Sequence, residues 1–346
     1  MHMGQVTRQV VLKRFIEGMP EAGDFEVVER ELPDLQDGQF LVRNILLSVD
    51  AGSRARLSNK PSYVPPLPIG GVVGAFSIGE VVESRHPDFA VGEILSMAEG
   101  WSEYLISKGR GFIRRITDRR LPLSPWLGVL GVSGMTAWFG LHRVAGLKEG
   151  QTVVVTSAAG AVGSAAGQIA RVNGCHVIGV AGGADKCEWL TGVAGFDHAI
   201  DYRNTEDLAS AVRDAAPDGV DIMFDNVGNH MIDQVIPSMN LNGAIVISGQ
   251  VAAYNDEDAP GLMNTRAFIT HRLKMQGLVV FDDLRNWAEA EKAMADHLVT
   301  GDIIYRDEIS EGLDTLPDAF AGLFRGENRG RRLARLAPDP FEAETG

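Results

Sequence analysis

A chain of 346 residues, 45% hydrophobic and 23% charged, is long enough for two globular domains with separate cores. Its 32 basic residues against 46 acidic ones give a net charge of -14, which repels nucleic acid and anionic membrane surfaces and argues against both as partners. Only Cys175 and Cys187 are present, too few for a disulfide framework or a thiolate zinc site, and no secretory leader precedes the first strand-like run, so a cytoplasmic location is expected.

From residue 6 to about residue 115 the chain is a series of short β-type runs, "QVVLKR", "FEVVERE", "QFLVRNILLSV" and "SIGEVVES", separated by Gly, Pro and Asp turns. They predict an irregular all-β domain. Residues 121–141 carry no charge and are long enough to cross a bilayer, but Pro122, Pro125, Gly128, Gly131, Gly134 and Gly140 interrupt any continuous span. A buried hinge between domains is expected there.

From Thr152 the pattern changes to alternating strands and helices: "TVVVTS", a helix from Gly163, "HVIGVA", a helix from Asp185, "HAIDY", a helix from Glu206, "VDIMFD", a helix, "GAIVIS". Such alternation demands a parallel sheet with helices on both faces. A strand near "MQGLVVF" follows, then a helix with Leu284, Trp287, Ala288, Met294 and Leu298 on one face, stopped by Gly301. The run "GRRLARL" is a further strand that returns to the first domain. The expected division is a β domain over 1–125 with the return 306–346, and a nucleotide-binding domain over 126–305.

The stretch "TVVVTSAAGAVGSAAGQIA" is a strand, a glycine turn and a helix, so the helix N-terminus can present backbone N–H groups and the positive end of its dipole to a pyrophosphate. Aligned to G-x-G-x-x-G, it has Ala158 in the first position and Gly160 and Gly163 in the second and third. The second strand, "HVIGVA", then runs into Gly182 and Gly183, where an NAD-binding protein usually has an acid. An acid there would repel a 2′-phosphate. Lys186 in the next helix and Tyr202 after the third strand can offer a cation and a neutral hydroxyl instead, with Asp185 a partial counterweight. NADP(H) is the expected cofactor.

Taken in order, "SAAGAVGSAAGQIA", "AGGADKCEWL", "DYRNTEDL", "FDNVGN", "SGQVAAYN", "GLVVF" and "RGENRGR" resemble the zinc-free medium-chain dehydrogenase/reductases that include prostaglandin and leukotriene 12-hydroxydehydrogenase/reductases and 2-alkenal double-bond reductases. "QVVLKRF" and "GMTAWFG" extend the resemblance over nearly the whole chain. It implies an α/β protein in which a Rossmann-type doubly wound parallel sheet accompanies a GroES-like irregular β-barrel domain. It also implies NADPH as cofactor and a homodimer. Carried over position by position, Gly160, Ala161, Val162 and Gly163 match the pyrophosphate loop, and Lys186 and Tyr202 the residues at the 2′-phosphate. Asn226, Ser248, Gly249 and the following residues to Tyr254, then Leu278, Val279 and Val280, match further nucleotide contacts, with Asn328 near the nicotinamide. The chain departs from the family at Ala51 and Gly52, where Pro-Tyr is common and the tyrosine lines the substrate pocket. Tyr63 is a candidate to fill that space, and Trp138 stands where Tyr is frequent.

No metal site is expected. The ligand pattern of the zinc alcohol dehydrogenases is missing: "PIGGVVGAF" stands where Gly-His-Glu would be, and the eight histidines show no paired spacing. Hydride reduction of a plain ketone builds full charge on oxygen, whereas conjugate addition to an enone spreads that charge over an enolate, for which a hydroxyl hydrogen bond can suffice. Tyr254 is the expected catalytic hydroxyl. The reading is an NADPH-dependent reductase of the C=C bond of α,β-unsaturated aldehydes or ketones, hydride going to the β-carbon. The alternatives are an NADPH:quinone oxidoreductase on the same scaffold and a non-catalytic NADPH-binding protein.

Overall fold

The computed structural model describes residues 5–60, 64–254 and 261–342; the side chains of Ala253 and Tyr254 are outside the described part, as is Tyr63. In chain order the strands and helices begin with β1 (Val6–Leu12), β2 (Phe25–Glu31), β3 (Phe40–Ser48), β4 (Ser77–Ser84), β5 (Ile94–Met97), β6 (Tyr104–Ser107) and β7 (Ile113–Arg115). Helix α1 (Val132–Phe139) precedes β8 (Thr152–Thr156), α2 (Ala161–Val172), β9 (His176–Ala181), α3 (Ala184–Gly192), β10 (His198–Asp201), α4 (Leu208–Ala215), β11 (Val220–Asp225), α5 (Asn229–Val235) and β12 (Met239–Ile247). There follow α6 (Ala267–Thr270), β13 (Lys274–Gly277), α7 (Trp287–Thr300), β14 (Asp307–Glu311), α8 (Leu316–Phe324) and β15 (Arg331–Arg335). The chain forms two compact units, Met1–Leu127 with Asp307–Gly346, and Gly128–Arg306.

The first unit is built on a seven-stranded sheet in the order β14-β15-β3-β4-β5-β7, with β6 also on β3, and a ribbon of β1 and β2. β15 pairs antiparallel with β3 through Leu333 and Ser48, so the C-terminal run is part of this sheet. Val10, Leu12, Phe25, Leu47, Trp101 and Phe320 fill one core. The Trp101 indole meets its polar obligation by donating to the Ser48 carbonyl at 2.9 Å.

The second unit carries a parallel sheet in the order β10-β9-β8-β11-β12-β13. The central strand β8 is apolar without alternation because Val153, Val154 and Val155 are all fully buried. Burying each is worth about 1.5–3 kcal/mol. The chain steps outward from β8 to β9 and β10, then returns to the other side of β8 with β11. That reversal leaves a crevice at the C-terminal ends of β8 and β11, where open α/β sheets bind ligands. Among the described residues the fold is the expected Rossmann-type sheet with a separate, mostly antiparallel β unit.

Two local expectations are corrected. The strand expected at "MQGLVVF" lies earlier, at Lys274–Gly277, and Val280–Asn286 turns as a 3-10 helix. Helix α7 begins only at Trp287, so Leu284 precedes it and is exposed, and the buried stripe runs through Trp287, Ala290, Met294, Ala295 and Leu298, not Ala288. Gly301 does end the helix, with φ 78° and its N–H on the Leu298 carbonyl. The uncharged run 121–141 is divided between the 3-10 turn Ser124–Leu127 and α1, and among the described residues no helix is long and apolar enough to cross a membrane.

Candidate functional site

The turn after β8 is built by a strained serine and two glycines. Ser157 adopts φ 48°, a left-handed conformation uncommon for a residue with a side chain. This reverses the chain so that Gly160 N–H reaches the Ser157 carbonyl at 2.9 Å and α2 starts at once. A Cβ on Gly163 would sit 2.4 Å from the Ser157 carbonyl oxygen, so only glycine lets the helix cross the strand end this closely. At Gly160 a Cβ would press on Ser157 at 3.2 Å. No side chain caps α2, whose first residues are Ala161, Val162 and Gly163, two residues before the expected start. Uncapped N–H groups at the positive end of a twelve-residue helix suit a pyrophosphate.

At the end of β9, Gly182 faces the turn that follows β10. A Cβ on Gly182 would lie 2.9 Å from both Cε1 of Tyr202 and Nε of Arg203. Any side chain at Gly182 would have to displace those of Tyr202 and Arg203. Gly183 takes φ 104° and opens α3, with half-buried Lys186 in its first turn. An acid is present one strand further out. Asp201 ends β10, and its carboxylate accepts from the N–H of Gly183 at 2.8 Å, the N–H of Arg203 at 3.1 Å and the Asn204 amide at 2.6 Å. These donors, that of Gly183 foremost, hold its carboxyl below the usual range.

Asp225, at the end of β11 in "FDNVG", is not among the residues that the resemblance assigns to the nucleotide. It is fully buried, and burial pushes its carboxyl up to about 6 against the hydrogen bonds it accepts from Thr156, Val227 and Gly228. Thr156 links the two central strand ends: its hydroxyl donates to Asp225 at 2.7 Å and accepts from the Asn226 N–H at 2.9 Å. The Asn226 amide nitrogen donates to the Thr156 carbonyl at 2.7 Å, which leaves Oδ1 as the acceptor for a ligand. The signal for this cluster was an acid closing an apolar strand, a place where a carboxylate needs a specific reason to be.

Ser248 and Gly249 follow β12 and are half-buried, their N–H groups on the Asp225 carbonyl. Val251–Tyr254 then turn as a 3-10 helix, tied back by the N–H of Val251 to Asn226 and of Ala252 to Val227. The Tyr254 side chain, the expected catalytic hydroxyl, lies outside the described residues. Leu278 is half-buried with its N–H on the Ile247 carbonyl, Val279 is exposed and Val280 buried. The sheet thus gathers the 157–163 turn, Lys186, Tyr202, Asn226 and Ser248 at one edge of the second unit. Asn328 belongs to the first unit, where its amide donates to the Gly330 carbonyl at 3.2 Å. There too a Cβ on Gly52 would meet nothing within 4 Å. The rings of Trp138 and His142 are tilted at 50° with centroids 4.3 Å apart, and burial pushes that imidazole's pKa down. Among the described residues no three His, Cys, Asp or Glu side chains come together as metal ligands would.

Residues 8–114 match a sequence family described as the N-terminal domain of oxidoreductases, and residues 161–297 one described as zinc-binding dehydrogenases. The chain is 38% identical to the NADPH-dependent curcumin reductase of Escherichia coli (strain K12), covering 97% of this chain and 98% of that one. It is 35% identical to the NADP(+)-dependent 2-alkenal reductase of Nicotiana tabacum, over 95% of this chain and 97% of the other. Among solved structures, CurA from Vibrio vulnificus in complex with NADPH superposes with a TM-score of 0.89 at 36% identity, covering 96% and 99% of the two chains.

Proposed function

Because the chain belongs to the medium-chain dehydrogenase/reductase family of 2-alkenal and prostaglandin reductases, we propose that it is an NADPH-dependent reductase of the C=C bond of α,β-unsaturated aldehydes and ketones. The observation that carries the reading is full-length identity to reductases named for NADPH and for conjugated carbonyl substrates, 35% for the tobacco relative and 38% for the bacterial one. The acid-free end of β9, with Lys186 and Tyr202 beside it, supports the choice of NADPH over NADH.

When bound, the dihydronicotinamide supplies a hydride. The chain's own residues do the rest. The N–H groups of Ala161, Val162 and Gly163 hold the pyrophosphate; Lys186 pairs with the 2′-phosphate and Tyr202 donates a hydrogen bond to it. Asn226, its amide nitrogen engaged by Thr156, accepts from a ribose hydroxyl through Oδ1. Ser248, Gly249, Leu278, Val279 and Val280 bound the nicotinamide, and the family resemblance assigns Asn328 a further contact with it. Tyr254 donates its hydroxyl proton in a hydrogen bond to the substrate carbonyl and stabilises the developing enolate. The Pro-Tyr common in the family is missing at Ala51 and Gly52, and a Cβ on Gly52 would meet nothing within 4 Å, which supports a substrate range that no tyrosine there restricts.

The reading includes a homodimer. Among the described residues β13 is the outer strand of its sheet and Lys274–Gly277 are all exposed, which offers a ladder edge to a second copy. Light scattering should then give twice the 37.3 kDa chain mass. The function is tested by turnover with NADPH across a panel of enals, enones and quinones. Faster turnover of enals and enones supports the reading; preference for quinones replaces it with a quinone oxidoreductase, and binding without turnover with a non-catalytic protein.

A further inference from the structure

Resting on the NADPH reading above, we propose that Arg203 is a second cationic determinant of 2′-phosphate recognition, acting with Lys186 at the acid-free end of β9. Three observations place it there. Its Nε lies 2.9 Å from where a Cβ on Gly182 would be, so the guanidinium covers the position that an acid would occupy in an NAD-binding protein. The turn that carries it is fixed: Asp201 holds the N–H of Arg203 at 3.1 Å and that of Gly183 at 2.8 Å, while Thr205 donates to the Asp201 carbonyl at 2.7 Å. And the guanidinium is exposed, with neither a hydrogen bond nor an ion pair among the described residues, so its donors are available to a ligand.

The charge balance gives the arginine its purpose. Asp201 remains ionised at neutral pH, because its hydrogen bonds favour the carboxylate. A 2′-phosphate with nearly two negative charges would approach that carboxylate across Gly182 and Gly183. Asp185 in α3 adds a second negative charge next to Lys186. One lysine is poorly matched to this field. A planar guanidinium on the turn of Asp201 itself screens the carboxylate from the phosphate and can meet two phosphate oxygens at once. Asp201 is then a positioning residue that anchors the binding turn, and Arg203 a residue that reads the ligand.

The test titrates folded wild type, Arg203→Ala, Arg203→Lys and Lys186→Ala with NADPH, NADH, adenosine 2′,5′-bisphosphate and 5′-AMP by calorimetry, with circular dichroism melting to confirm folding. Arg203→Ala is expected to weaken NADPH and the bisphosphate about tenfold and to leave NADH and 5′-AMP within about twofold. Arg203→Lys should retain part of the affinity because it keeps the charge. If Arg203→Ala binds NADPH like the wild type while Lys186→Ala does not, the role of Arg203 is overturned and the NADPH reading stands. If the wild type binds NADPH and NADH equally, and Lys186→Ala changes neither, the NADPH reading itself has failed and this inference with it.

Discussion

Tyr202 stands over Gly182 so closely that a Cβ on the glycine would lie 2.9 Å from Cε1 and 3.0 Å from Cζ of the phenol ring. Glycine at this position does two things at once: it removes a carboxylate and it lets the ring lie over the strand end. The two effects are separable. Gly182→Ala adds the clash alone, and Gly182→Asp adds the clash and the charge. Gly182→Ala is expected to weaken NADPH several-fold, and Gly182→Asp by a further tenfold or more, about 1.4 kcal/mol. NADH should be spared the second loss. A fluorescence titration of both cofactors on both variants measures this, and equal losses for the two substitutions would show that charge plays no part.

Much of this site was legible because its parts are local. The turn from Thr156 to Gly163 is a contiguous strand, glycine turn and helix, and its chemistry follows from a helix N-terminus that any reader of the sequence can locate. The parallel sheet was legible for a similar reason, since alternating strands and helices demand one, although they do not state its strand order. What stayed hidden depended on which residues meet across strands. Asp225 and Thr156 are 69 positions apart and share a hydrogen bond only because β8 and β11 are neighbours. Asp201 and Gly183 likewise meet only when β9 and β10 pair. The misplaced stripe of α7 has a different cause: Leu284 fits the helical period, but the chain still turns as a 3-10 helix through Asn286. Periodicity alone cannot register such a change of pitch.

The buried carboxyl of Asp225 makes a prediction about pH. Its folded pKa is about 6 against an unstrained 3.8, so the folded protein binds this proton more tightly than the unfolded chain. The stability it contributes is therefore greatest below about pH 4, is lost as pH rises toward 6, and is constant above that. Asp225→Asn cannot titrate. The stability of the wild type relative to that variant should fall by up to about 3 kcal/mol between pH 4 and pH 7. Urea unfolding at half-unit intervals would reveal it, and a flat difference would mean that Asp225 ionises like an ordinary carboxylate.

Metal dependence can be predicted from the side chains present. Cys175 and Cys187 fit no ligand pattern, and the segment where a Gly-His-Glu would supply two ligands reads "PIGGVVGAF", with neither His nor Glu. Turnover should survive exhaustive chelation unchanged. Stoichiometric zinc by mass spectrometry of the purified protein, together with loss of activity on its removal, would contradict this.

The reaction itself is open to isotopic labelling. Charge that develops on a carbonyl oxygen during direct reduction is localised, and a single neutral hydroxyl stabilises it weakly; the same hydroxyl is better matched to an enolate, whose charge is shared with the α-carbon. With Tyr254 as the donor, the carbon that accepts hydride is then the β-carbon of the conjugated system, and the α-carbon takes a proton from solvent or a solvent-linked acid. Assayed with NADPH deuterated at its transferable position, the enzyme should yield a saturated ketone with one deuterium at the β-carbon. In heavy water with unlabelled NADPH, the label should appear at the α-carbon instead. Tyr254→Phe removes the hydrogen bond to the enolate but little of the cofactor's binding surface. It should therefore lower kcat by about tenfold or more while changing the Kd for NADPH by less than about threefold. An allylic alcohol with deuterium at the carbinol carbon would identify a carbonyl reductase. Equal effects of Tyr254→Phe on binding and turnover would reduce that residue to a contact of the cofactor loop.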